Sequence, residues 1–126
     1  MSDMHIKSSD RTPEFKFISS ACELSFSGES YPENALSFYK PILEKIAILC
    51  ESDTPLVIKF KLIYMNSSSL GIFRNMMNTL NAHAKRGNKV VVVWMHFDDD
   101  DDTREIGEDF HELFSSIEFQ FSPITD

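Results

Sequence analysis

The residues best placed for chemistry lie at a strand-to-helix junction expected from the pattern Leu62-Ile63-Tyr64-Met65-Asn66-Ser67-Ser68-Ser69. In open α/β sheets, sites form at the carboxyl ends of strands, beside helix N-termini. A helix N-terminus presents free N–H groups and the positive end of the dipole, so it tolerates an anion. Ser67, Ser68 and Ser69 each carry a hydroxyl that a kinase can esterify. Phosphate adds nearly two negative charges and about three acceptor oxygens. At this place it would change the charge and shape of an exposed corner without unfolding the domain. The plainer reading is capping, because Asn and Ser are favoured at helix starts, where their side-chain oxygens take up a free N–H. The two readings are compatible: one hydroxyl can cap until it is modified.

Asp98 to Asp102 is an unbroken acidic run. Hard oxygen ligands suit calcium or magnesium, but the run lacks the glycine and the distal glutamate of an EF-hand loop. It reads as a solvated loop, with a docking patch for a basic partner surface as the alternative. His5, His83, His96 and His111 pair with no other His or Cys at metal-ligand spacing, so neither a metal nor a cofactor is expected. His83 falls near the C-terminus of its expected helix, where a cation is mildly favourable. There is no GxSxG elbow, and neither Cys22 nor Cys50 falls at a helix start. Nucleophilic catalysis needs a Ser or Cys beside a base and an orienting group. Only four glycines occur, and none builds a phosphate loop. The expectation is a protein that is not an enzyme.

The elements that must hold the serine junction follow from periodicity. Residues 1–11 are polar and read as a loose arm, with a possible short strand around Ile6. Phe15 to Ile18 and Cys22 to Phe26 alternate apolar and polar residues around a Ser19-Ser20-Ala21 turn, which predicts an antiparallel hairpin ended by Gly28. Ser30-Tyr31-Pro32-Glu33 has the pattern of a capping box with proline in the first turn. Ala35 to Leu49 then carries apolar residues at helical spacing, and Pro41 is expected to kink or split that helix. Leu56 to Tyr64 alternates as a strand. Leu70 to Ala84 is amphipathic and is stopped by Gly87-Asn88. Val90 to Trp94 is continuously apolar, as in a central strand covered on both faces. Asp102 and Glu105 can open a third helix, striped by Ile106, Phe110, Leu113 and Phe114, and Ile117 to Phe121 reads as a last strand. The order β-β-α-β-α-β-α-β predicts one α/β domain over residues 1–126, with right-handed crossovers and a mixed sheet. Polar residues on one side of the strands place the helices mainly on the other face.

At 126 residues the chain fits one domain with a real core. Its net charge of −8 repels phosphate backbones and anionic lipid, so neither nucleic acid nor a membrane surface is the expected partner. Two distant cysteines, no signal-peptide pattern and no long apolar run point to a reducing, cytoplasmic setting.

Two segments carry a family resemblance. Ser27-Gly28-Glu29-Ser30-Tyr31-Pro32-Glu33-Asn34 with Phe38-Tyr39-Lys40-Pro41-Ile42-Leu43 resembles one signature of the SiaC family of bacterial proteins, and Leu62 to Ser69 resembles a second. The acidic loop leading into Glu105-Ile106-Gly107-Glu108-Asp109-Phe110 is similar to a third, less specific one. The resemblance spans roughly residues 5 to 122 and implies a fold like the anti-anti-sigma-factor (STAS) domain. It implies a phospho-switch regulator, modified by a dedicated Ser/Thr protein kinase and restored by a PP2C-type phosphatase. The unphosphorylated form would bind and activate a diguanylate cyclase, raising cyclic di-GMP and promoting biofilm. The resemblance maps the acceptor position onto Ser67, where the familiar member of the family carries threonine; both hydroxyls suit the same chemistry. Tyr31, Pro32, Glu33 and Asn34, with Tyr64, Asn66, Ser67, Ser68 and Ser69, are the expected partner-binding surface. The same fold would serve an anti-anti-sigma factor that sequesters an anti-sigma kinase, and the sequence leaves that alternative open.

Overall fold

The computed structural model describes residues 2–124, so Met1 of the expected arm lies outside it. The strands are β1 (Met4–Ile6), β2 (Glu14–Ile18), β3 (Glu23–Ser30), β4 (Leu56–Met65), β5 (Val90–Phe97) and β6 (Glu118–Ile124). The helices are α1 (Ala35–Leu49), α2 (Ser67–Lys85) and α3 (Asp101–Leu113), with a short 3₁₀ turn at Ser19–Ala21. The strands lie in chain order across one sheet. β1, β2 and β3 pair antiparallel, and β3 through β6 pair parallel. The expected hairpin and crossovers are therefore present in a mixed α/β sheet. The strand expected around Ile6 is β1, which corrects the loose-arm expectation for Met4–Ile6: these residues pair with Phe15–Phe17 at the sheet edge.

All three helices cover one face. Phe15, Phe26, Phe60, Trp94 and Phe121 stand in one register row across β2 to β6. Tyr39 of α1 and Phe73 of α2 pack their rings on Phe26, and Phe110 of α3 packs on Trp94. Alternation does this work: Leu56, Ile58, Phe60 and Leu62 point into the core, while Val57, Lys59, Lys61 and Ile63 do not. β5 is expected to be covered on both faces over Val90 to Trp94; Val90, Val91, Val92 and Trp94 are buried there, and Val93 alone is half-buried.

Two further expectations are corrected. Pro41 does not split α1, which runs unbroken from Ala35 to Leu49. Pro41 and Ser37 are both exposed, so the Ser37 carbonyl that loses its helical donor can meet water. Nor does Ser30 form a capping box. It is the last residue of β3 and fully buried, and α1 starts later, capped by Asn34, whose side chain accepts from Ser37 N–H at 3.0 Å. The other helices use the same device. Asn66 accepts from Ser69 N–H at 2.9 Å, and Asp100 from Thr103 N–H at 3.0 Å.

Candidate functional site

β3 and β4 end side by side, with Glu29 opposite Tyr64 and Ser30 opposite Met65 after a register shift at Gly28/Glu29. Gly28 sits at φ +117°, a conformation other residues rarely adopt, and so permits that shift. Asn66 N–H donates to the Ser30 carbonyl at 2.9 Å, tying the start of α2 to the end of β3. The chain then turns into the 31–34 segment beside it. In this way the two sequence signatures form one corner at the carboxyl edge of the sheet.

The expected site residues divide by role. Tyr31 and Tyr64 meet edge-on with ring centroids 5.9 Å apart, and Tyr64 is 53% exposed. Pro32 is buried, and Glu33 is exposed and pairs with Arg11 at 2.7 Å. Asn34 and Asn66 are helix caps. Ser67 and Ser68, the first two residues of α2, are exposed; Ser69 is fully buried. Capping thus belongs to Asn66 and leaves the Ser67 hydroxyl facing solvent at a helix N-terminus.

Beneath the corner lies a hydroxyl chain that sequence reading missed. Ser30 Oγ lies 2.6 Å from Tyr39 Oη and 2.7 Å from Ser69 Oγ, and Ser69 Oγ donates to the Ser30 carbonyl at 3.1 Å. One assignment satisfies every group: Tyr39 donates to Ser30, Ser30 to Ser69, and Ser69 to the carbonyl. Burial pushes the Tyr39 phenol well above its ordinary range, with the Ser30 hydrogen bond opposing in part. A signal was present in the sequence: a tyrosine at an otherwise apolar helix position needs a partner for its hydroxyl. Arg11, in the expected arm, is the other missed neighbour: its carbonyl accepts from Tyr31 N–H at 2.8 Å.

Of the histidines, His83 is fully buried, its Nε2 2.7 Å from the Thr54 carbonyl and its Nδ1 facing Arg86 and Asn88. A carbonyl can only accept, so Nε2–H is the donor, and His83 is a structural group that ties the end of α2 to Thr54.

A three-helix layer on one face of a mixed sheet, with an exposed serine opening a capped helix at the sheet's carboxyl edge, is the architecture that comparison with known proteins assigns to a class of regulatory phosphoproteins. The chain belongs to the SiaC family: residues 6–124 match the SiaC family regulatory phosphoprotein. It is similar to the crystal structure of apo-SiaC from Pseudomonas aeruginosa, with a TM-score of 0.88 and 28% identity over 97% of this chain and 99% of that one. It also shares the fold of SiaC in the crystal structure of the diguanylate cyclase SiaD in complex with its activator SiaC, again from P. aeruginosa. There the TM-score is 0.90, with 24% identity over 96% of this chain and 99% of that one. An uncharacterised protein of P. aeruginosa (strain UCBPP-PA14) is 28% identical over 113 residues, 89% of this chain and 90% of its own length. Among the described residues, no helix is long and apolar enough to cross a membrane.

Proposed function

We propose that this chain is a cytoplasmic partner switch whose unphosphorylated form binds and activates a diguanylate cyclase, and that phosphate on Ser67 releases the cyclase. A Ser/Thr protein kinase writes the mark and a PP2C-type phosphatase removes it. The observation that carries the reading is the division of labour at the corner. Asn66 caps α2 and Ser69 is buried in the hydroxyl chain, whereas Ser67 stands exposed at the first helical position. Free N–H groups and the helix dipole accommodate a phosphate there, so modification changes the surface and not the fold. Family membership and the cyclase complex of the P. aeruginosa SiaC support the choice of effector. The chain itself contributes no chemistry in this reading: it presents Tyr31 to Asn34 and Tyr64 to Ser69 as a contact surface.

The test combines phosphopeptide mapping of the protein from its own cells with cyclase binding by two variants. Phosphate is expected on Ser67. Ser67→Ala is expected to bind like unmodified protein, and Ser67→Asp at least about tenfold more weakly, a loss of about 1.4 kcal/mol. Equal affinities for the two variants would refute the switch. Recovery of an anti-sigma kinase in place of a cyclase would overturn the effector assignment and favour the anti-anti-sigma alternative.

A further inference from the structure

Beside the Ser67 corner, on its β5 side, a cleft of about 350 Å³ opens between the end of β4 and the start of α3. Ile63, Tyr64 and Met65 form the strand wall, and Asp100, Asp102 and Ile106 form the helix wall. Ile63 and Tyr64 are 50% and 53% exposed, a large apolar surface left open to water. Asp100 and Asp102 line the cleft, and the segment that supplies them carries a concentrated charge. Residues 98–112 contain nine acidic side chains and one base, Arg104, a net of −8. The remaining eleven acidic and eleven basic residues cancel, so this one segment holds the whole net charge of the chain. Arg104 is engaged with Asp101 at 3.0 Å and Glu108 at 3.9 Å. Among the described residues, Asp102 and Glu105 enter no ion pair.

We propose that this cleft is a docking groove for a basic amphipathic helix of the effector protein, seated with its apolar residues on Ile63, Tyr64 and Ile106 and its Lys or Arg residues against Asp102 and Glu105. An apolar floor with a single-sign rim fits an occupant whose apolar stripe is bordered by the opposite sign. Tyr64 adds a ring face over which a cation can sit. A second copy of this chain is the wrong occupant, because it would bring an equal acidic rim against the first. The groove is continuous with the Ser67 corner, since Tyr64 lines the one and packs on Tyr31 in the other. The inference rests on the partner-switch reading and adds where the partner lies and what chemistry it presents.

The test uses the purified full chain and the purified diguanylate cyclase, with Ile63→Glu and Asp102→Lys as variants. Both positions are exposed, and circular dichroism and thermal melting confirm folding. Binding is measured at about 50 and about 300 mM NaCl, where screening differs strongly. Each variant is expected to bind about tenfold or more weakly, and Asp102→Lys is expected to show the shallower salt dependence. If wild-type chain binds the cyclase and both variants match it in affinity and salt slope, the groove is refuted while the switch reading stands. If wild-type chain binds no cyclase, the switch reading fails and takes the groove with it. If either variant instead abolishes self-association of the free chain in sedimentation, the occupant is a second copy and the proposal is overturned.

Discussion

Replacing Ser69 by alanine separates a structural hydroxyl from the proposed phosphorylation site two residues away. Ser69 Oγ makes two contacts in the buried chain, accepting from Ser30 Oγ at 2.7 Å and donating to the Ser30 carbonyl at 3.1 Å. The carbonyl keeps its other donor, Asn66 N–H at 2.9 Å, so its loss is small. The Ser30 and Tyr39 hydroxyls fare worse: only their mutual contact at 2.6 Å remains, so one of their two protons is left without an acceptor in a fully buried site. One orphaned buried donor costs about 1–3 kcal/mol. Tyr39→Phe removes a donor but leaves the Ser30 proton bonded to Ser69, so the expected cost is an ordinary hydrogen bond, about 0.5–1.5 kcal/mol. Ser67→Ala touches an exposed hydroxyl and should stay within about 0.5 kcal/mol of wild type. For a domain of this size about 1 kcal/mol moves Tm by roughly 3–6 °C. Urea titration of the three variants should therefore rank Ser69→Ala as least stable, then Tyr39→Phe, then Ser67→Ala. A Ser67→Ala loss as large as that of Ser69→Ala would mean that Ser67 and not Asn66 secures the start of α2, and the division of labour at the corner would be wrong.

Three further outcomes follow from the packing. Tyr39 has its pKa raised in the folded state, so the folded form holds the phenolic proton more tightly than the unfolded chain. That stability is fully present below about pH 10, the ordinary tyrosine value, and is lost as pH rises above it; Tyr39→Phe should flatten this alkaline loss in pH-dependent urea melts. Gly107→Ala should destabilise by about 1–3 kcal/mol, because its Cβ would lie 2.5 Å from the Trp94 ring. Gly71→Ala, with nothing within 4 Å, should stabilise by about 0.5–1 kcal/mol, since alanine is the better helix former. Melts checked against the emission of the single tryptophan distinguish the two.

The elements with strong periodicity were readable before any coordinates. β4 alternates core and solvent residues along its length, and α2 carries Phe73, Met76, Met77 and Leu80 on one stripe. The junction between them was readable for the same reason, as was the grouping of hydroxyls there. What the pattern could not give was the use of each hydroxyl. Ser30 followed by Glu33 has the local spelling of a capping box, but its partners are Tyr39, nine residues on, and Ser69, thirty-nine residues on. Tertiary pairing of that kind leaves no local trace. Pro41 misled similarly: the penalty for proline in a helix depends on whether the freed carbonyl meets water, and that depends on which face of α1 is buried.

The position of the charge constrains how a phosphate on Ser67 could release a partner. Phosphorylation adds about −1.5 to −2 to a chain already at −8, whose excess is concentrated on α3 and the loop before it. A basic helix approaching this edge is drawn more strongly at a distance after modification. Long-range repulsion therefore cannot be what expels it. Release has to arise at contact, where docking would strip water from the dianion beside Tyr64 without supplying a partner for it. The kinetic signature is specific: the Ser67-phosphorylated chain should associate at a rate within about threefold of the unmodified chain, while dissociation should accelerate about tenfold or more. Stopped-flow association and surface-based dissociation at low salt measure the two separately. An association rate that falls by the full affinity loss, with dissociation unchanged, would show that the partner approaches with an acidic face. The phosphate would then act by repulsion, and the cleft beside Tyr64 would not be the seat of a basic helix.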